Sequence, residues 1–114
     1  MPDRLGDRIR IKHILDAILE IEAYTNNATK EEFLSNSMMF NATLRQLEVI
    51  GEASNRISTE TLQNYPSIPW TRLIGLRNIV IHENFGVDEL TIWSIIKINL
   101  PDLKKEVEKM ISGF

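Results

Sequence analysis

The side chains best suited to chemistry lie close together in this sequence, at Arg77, Asn78 and His82. They interrupt an otherwise apolar stretch, where such groups are costly to bury without a purpose. The guanidinium of Arg77 can hold a phosphate through two parallel hydrogen bonds. An imidazole such as that of His82 titrates near neutrality and can transfer a proton. With the amide of Asn78, these groups form a plausible minimal set for cleaving a phosphodiester without a metal ion.

The spacing of these residues bears on how they could act. Asn78 and His82 are four residues apart, so on a helix they are separated by about 40° and share a face. Arg77 and His82 are five apart, or about 140°, and would not converge on one phosphate from a straight helix. Three solutions remain open: the arginine curls over, the helix ends near His82, or a second copy of the chain supplies the missing group across a two-fold axis.

The composition limits the kinds of protein that the chain can be. Its 114 residues suit one domain, spanning residues 1–114. The absence of cysteine excludes disulfides and thiolate metal sites, and no spacing around His13 or His82 resembles a zinc site. There is no glycine-rich phosphate loop. We therefore expect chemistry without a metal ion or a nucleotide cofactor.

Charge and hydropathy limit the surroundings of the protein. The formal net charge of −3 argues against a generic nucleic-acid-coating protein, so a basic patch would have to be local or come from two subunits. Arg4, Arg8 and Lys12 form one such basic edge, which either steers RNA or is an ordinary soluble surface. No apolar run approaches the roughly 20 residues that cross a bilayer, and the first residues are too charged for a signal peptide. We expect a cytoplasmic protein with no membrane association.

Apolar residues recur every three or four positions along almost the whole chain, which predicts an all-α fold. Thr29 and Glu32 form a capping box for a short helix, and a longer one is expected over 38–57. Pro69 suits the first position of a helix over 70–81, and Asp88 caps another that Pro101 kinks or restarts. The result is an up-and-down bundle of four main helices plus short helices.

Two further features concern the neighbours of the candidate site. Gly51 in mid-helix costs about 1 kcal/mol relative to alanine, which suggests that another backbone packs closely there. Glu52 is either part of a solvated charge ladder on its own helix or reaches across the bundle to orient Arg77. Glu83, beside His82, would favour a charged imidazole if it lies close, and is otherwise an exposed carboxylate.

The segment from Arg77 to His82 resembles the Arg-x4-His signature of HEPN domains, and its surroundings resemble the HepT-like toxin branch. The matching flanks are the Gly51-Glu52-Ala53 triplet, the Pro69-Trp70 pair, the 85–88 stretch Phe-Gly-Val-Asp, Trp93 and the Leu100-Pro101 pair. The resemblance implies a helical homodimer with a metal-independent endoribonuclease site at its interface. It implies Arg77 and His82 as the catalytic pair with Asn78 as companion. It also implies a toxin whose partner is an MntA-like nucleotidyltransferase antitoxin.

One position departs from that family pattern. In studied members the signature continues as His-x-Tyr, and the antitoxin adenylylates that tyrosine to silence the toxin. This chain has Asn84 there, followed by Phe85, and neither side chain has a hydroxyl to carry AMP. Either the partner silences this chain by binding alone, or the chain is a divergent member. The alternative to a toxin nuclease is a non-catalytic HEPN subunit that binds nucleotide or docks a nucleotidyltransferase.

Overall fold

The computed structural model describes residues 4–82 and 88–114, with side chains throughout except at residues 79–82. Every regular element in these ranges is helical, which confirms the predicted all-α class. None of these helices is long and apolar enough to cross a bilayer. In chain order the elements are α1 (Arg4–Thr25), α2 (Lys30–Ser35), α3 (Ser37–Asn55), α4 (Thr59–Asn64), α5 (Trp70–His82), α6 (Glu89–Ser94), a π-helical turn (Ile95–Asn99) and α7 (Leu100–Ser112).

Helix α3 lies at the centre of the arrangement, packed against α1 on one side and α5 on another, while α7 packs on α1. Leu47 and Ile50 of α3 are completely buried, and the deepest positions of α1 face them: Ile11, Ile14, Ile18 and Ile21. The apolar period of α1 therefore predicts its buried face. The same pattern is wrong at Leu19 and Leu90, which are 42% and 54% exposed because they lie at the margin of their stripes.

The predicted helix starts are confirmed where a side-chain cap was recognised. Thr29 Oγ1 accepts from the Glu32 backbone at 3.1 Å, and Glu32 Oε1 accepts from the Thr29 backbone at 3.0 Å. Asp88 caps α6 by accepting from two backbone N–H groups. The expected 38–57 helix is instead 37–55, because Asn36 caps its start by accepting from the Met39 backbone.

Two prolines differ slightly from expectation. Pro69 precedes α5 by one residue instead of opening it, and its carbonyl accepts from the backbones of Arg72 and Leu73. Pro101 lies in the first turn of α7, directly after the π-helical turn in which the Leu100 N–H bonds to the Ile95 carbonyl. A proline has no N–H to continue an α-helical ladder, so the wider turn precedes the restart of the helix at this point.

A buried carboxylate joins the start of α1 to the start of α4. Asp7 is 1% exposed and accepts from the Ser58 backbone at 2.9 Å, the Ser58 hydroxyl at 2.6 Å and the Thr61 hydroxyl at 2.6 Å. Burial raises the pKa of Asp7, but the hydrogen bonds from Ser58 and Thr61 outweigh it, so the pKa lies below its ordinary value. Since Ser58 follows the end of α3, this contact also shows that α1 and α3 run antiparallel.

Candidate active site

The site is built where α5 crosses α3 at Gly51. A Cβ atom added at Gly51 would lie 2.8 Å from the backbone nitrogen of Arg77 and 3.0 Å from the carbonyl oxygen of Leu73. Backbone atoms cannot yield as a flexible side chain can, so only glycine allows this approach. The close backbone contact predicted from Gly51 is therefore confirmed, and it fixes the backbone of Arg77 against α3.

The side chain of Arg77 bonds to the residue that follows Gly51. Arg77 Nη1 donates to Glu52 Oε1 at 2.8 Å, and the two side chains are 35% and 39% exposed. Glu52 Oε2 also lies 3.8 Å from Arg56 Nε, so the carboxylate takes part in the charge ladder and reaches across to α5. A guanidinium has five N–H donors. Bonding to Glu52 occupies one nitrogen of Arg77 and leaves the other two able to donate to a ligand.

The residues of the signature lie on one continuous helix but point in different directions. The backbone of α5 is helical from Trp70 to His82, so positions 77 and 82 are about 7.5 Å apart along the axis and about 140° apart around it. Asn78 is exposed. Because Arg77 faces α3, position 82 lies on a side of α5 turned away from α3. The structure thus brings Arg77 to Glu52, and the side chain of His82 together with Glu83 and Asn84 lies outside the described residues.

Two described positions of α5, Gly75 and Asn78, lie on the side of the helix that also carries position 82. Gly75 is seven residues before His82, so the two positions are only about 20° apart around the helix. A Cβ added at Gly75 would meet no described atom within 4 Å. Among the described helices, α3 is the principal neighbour of α5. One face of α5 is therefore engaged by α3, whereas Gly75 and the exposed Asn78 lie on another face that has no described atom within 4 Å of a Cβ at position 75.

A charged groove between α1 and α3 was not predicted from the sequence. It has a volume of about 430 Å³, and its charged and imidazole side chains are Arg10, His13, Arg45, Glu48, Glu52 and Arg56. The basic edge expected from Arg4, Arg8 and Lys12 does not line it, and Arg4 instead lies over the Phe114 ring at 5.7 Å. The sequence feature that could have indicated this groove is the position of Arg10 and His13 at the margin of the apolar stripe of α1. No three His, Asp or Glu side chains within the described ranges are grouped so as to hold a metal ion.

The fold and the site define an all-helical protein with an arginine held against its central helix and a histidine one and a half turns further along. A family model described as "Ribonuclease HepT-like" matches residues 14–110. The chain belongs to the HepT-like ribonuclease family, which confirms the resemblance noted in the sequence. No solved structure matches the chain.

Curated relatives support the same assignment. A Methanocaldococcus jannaschii protein provisionally named an RNase is 41% identical over 95 residues, covering 83% of this chain and 87% of the relative. A second RNase so named from that organism is 44% identical over 98 residues, covering 86% and 81%. "Probable ribonuclease HepT" of Thermococcus cleftensis is 37% identical over 100 residues, covering 88% and 91%. The family and these names agree with the expected enzyme class, a nuclease.

Proposed function

We propose that this chain is a metal-independent endoribonuclease that works as a homodimer and serves as the toxin of a toxin–antitoxin pair. The observation that carries the proposal is the bond between Arg77 and Glu52. An arginine at the signature position of a ribonuclease family is held by a carboxylate from another helix, with donors to spare. Such a guanidinium is oriented in advance to stabilise charge on a phosphate.

The reaction that fits these residues is attack by the RNA 2′-hydroxyl on the adjacent 3′-phosphate. His82 takes the proton of the 2′-hydroxyl, the bond from O2′ to phosphorus forms, and the bond from phosphorus to O5′ breaks. The leaving O5′ receives a proton, which gives a 2′,3′-cyclic phosphate and a 5′-hydroxyl end. Arg77 donates to the phosphoryl oxygens as charge grows, and Asn78 orients His82 or the phosphate. Acid–base catalysis of this kind contributes about 10²–10⁴-fold.

A second copy of the chain completes the site in this proposal. Position 82 faces away from Arg77 around α5, so one copy does not direct both groups at one phosphate. The open face at Gly75 and Asn78 allows a second α5 to approach closely about a two-fold axis. In such a pairing the His82 of one copy acts with the Arg77 of the other, and the two copies of His82 share one cleft, one to accept the proton and the other to donate it.

The biological setting of the proposal rests on the family. An MntA-like nucleotidyltransferase is the partner that the HepT-like resemblance implies. With Asn84 at the position of the usual tyrosine, we expect that partner to silence the nuclease by binding. Glu83 is a candidate to favour the protonated form of His82.

The decisive experiment is cleavage of RNA by the purified chain in the presence of EDTA, with the parent compared with His82→Ala and Arg77→Ala. We expect the parent to cut RNA with metal removed and both variants to lose cleavage and growth arrest while remaining folded dimers. Circular dichroism and light scattering check the fold and the dimer. Parent-like cleavage by His82→Ala would exclude the catalytic role. An inactive parent that binds nucleotide would favour the non-catalytic subunit.

A further inference from the structure

The groove between α1 and α3 is positively charged in a chain that is acidic overall. The arginines at the groove and at its edge are Arg10, Arg45, Arg56 and Arg77, and the two acidic residues there are Glu48 and Glu52. These six residues give a formal charge of +2, whereas the whole chain has −3, so the remainder carries −5. The positive charge is therefore concentrated on the surface next to the candidate active site.

The basic side chains that line the groove are also of one kind. The chain has seven arginines and six lysines, and every side chain of these two kinds that lines the groove is an arginine. A guanidinium presents a planar fork that matches two phosphate oxygens, whereas an ammonium is a point charge. A surface whose basic residues are all arginines is therefore better suited to bind a ligand with repeated phosphates than an ordinary charged surface would be.

Two of these arginines are free to exchange partners. Arg45 is 68% exposed and bonds to Glu48 at 2.7 Å, and Arg56 is 66% exposed and lies 3.8 Å from Glu52. Exposed pairs of this kind contribute little to stability, so a phosphate can replace the carboxylate at small cost. Arg10, on the opposite wall, has no carboxylate of a described residue within 4 Å, and its charge helps to keep the pKa of Asp7 below its ordinary value.

The groove leads to Arg77. Arg45 on α3 and Arg56, which caps the end of that helix, are eleven residues apart, which corresponds to about 17 Å along the helix axis. Glu52 lies between them and bonds to Arg77 on α5, so the line of arginines continues from α3 to the proposed catalytic residue. Ile9 and Val49 also line the groove and give it apolar surface on which a ribose or base can rest.

We propose that the α1–α3 groove binds the phosphodiester backbone of one RNA strand and directs it to Arg77. The proposal rests on the ribonuclease function and adds to it a binding path, with Arg10, Arg45 and Arg56 as the phosphate contacts. The other occupant that such a groove could take is a second copy of this chain. The surplus of positive charge favours RNA, because in a two-fold dimer this surface would meet its own copy and the two positive grooves would repel one another.

The test measures binding separately from cleavage. The probe is a short single-stranded RNA with every 2′-hydroxyl methylated, which removes the nucleophile and keeps the phosphates. Fluorescence anisotropy gives its affinity for the parent and for the triple variant Arg10→Gln, Arg45→Gln and Arg56→Gln. The matched control changes three exposed cations outside both the groove and the Arg4, Arg8 and Lys12 edge: Lys30→Gln, Lys105→Gln and Lys109→Gln. Both triple variants remove three positive charges, so a difference between their affinities for the probe shows that the location of the charges matters.

We expect the groove variant to bind at least about tenfold more weakly than the control, with a salt slope smaller by about 2, as three lost single-strand phosphate contacts require. Equal affinities in the two triple variants would overturn the proposal, as would a parent that does not bind the probe. Loss of the dimer in the groove variant alone, seen by light scattering, would assign the groove to a second copy and overturn it too. If the groove variant binds more weakly than the control but the parent does not cleave ordinary RNA, the proposed nuclease function is refuted and the groove remains an RNA-binding surface.

Discussion

Gly51 lies directly against the backbone of Arg77, with room for no side-chain atom between them. The contact joins the central helix of the fold to the helix of the ribonuclease signature. It also places Glu52, the next residue, within hydrogen-bond distance of the Arg77 guanidinium. Fold and candidate site therefore depend on the same two residues of α3, and the predictions below separate their roles.

Gly51→Ala should loosen the contact between α3 and α5. The new Cβ would lie 2.8 Å from a backbone nitrogen, so the helices must separate. We expect a loss of about 1–3 kcal/mol in the free energy of unfolding by urea, together with slower RNA cleavage. The control is the exposed Gly113→Ala after α7, where a new Cβ would lie 3.3 Å from the Tyr65 hydroxyl and no closer than 3.5 Å to any described backbone atom, so stability should change by less than about 0.5 kcal/mol. Equal stability in the two variants would contradict the interpretation of Gly51.

Glu52→Ala should lower the kcat of RNA cleavage by about tenfold without raising KM, because the carboxylate orients Arg77 and does not itself bind substrate. Glu52→Gln keeps an oxygen acceptor for Arg77 and should recover part of the rate. Glu22→Ala is the matched control, since Glu22 has the same 39% exposure and bonds to Lys104 at 3.0 Å away from the site. A similar loss of rate in that control would show that Glu52 has no special role.

Asp7→Asn should destabilise the protein at neutral pH by about 2–3 kcal/mol, because three hydrogen bonds to a buried carboxylate are weakened together. The exposed Asp16 of the same helix provides the control, and Asp16→Asn should change stability by less than about 0.5 kcal/mol. Urea unfolding at a fixed protein concentration measures both. A change in Asp7→Asn no larger than in Asp16→Asn would show that the Ser58 and Thr61 contacts contribute little.

The same carboxylate predicts a dependence of stability on pH. The pKa of Asp7 is lower in the folded protein than in the unfolded chain, where an aspartate has about 3.9. Its contribution is thus complete above about pH 3.9 and is lost as the pH falls through the folded pKa. The parent should lose stability over that acid range more steeply than Asp7→Asn does. Parallel curves for the two proteins would contradict this assignment.

Mass spectrometry of this chain can test how the proposed partner silences the nuclease. After incubation with ATP and the nucleotidyltransferase that we propose as its partner, we expect the parent chain to gain no AMP while its RNA cleavage is inhibited. Asn84→Tyr restores the hydroxyl found at this position in studied members and should gain one AMP. A mass gain of one AMP on the parent would exclude silencing by binding alone.

Much of this arrangement follows from the sequence because it is encoded locally. Helical period gives the buried face of α1, a glycine in mid-helix gives the close contact at Gly51, and the cap residues Thr29 and Asp88 give two helix starts. The groove could not be predicted in this way. Arg10 and Arg45 are distant in sequence and line one surface only because α1 and α3 pack side by side. The buried role of Asp7 is hidden for the same reason, since Ser58 lies 51 residues away.

The one-sided support of α5 has a consequence for its motions. Helices α1 and α3 pack along one another in the middle of the protein, whereas α5 is held mainly by α3. Opening of α5 breaks fewer contacts than opening of the centre, so its amide protons should exchange with solvent sooner than those of Leu47 and Ile50. The helix that carries Arg77 and His82 is then released more readily than the packed centre of α1 and α3, and any molecule that binds at Gly75 and Asn78 slows that exchange.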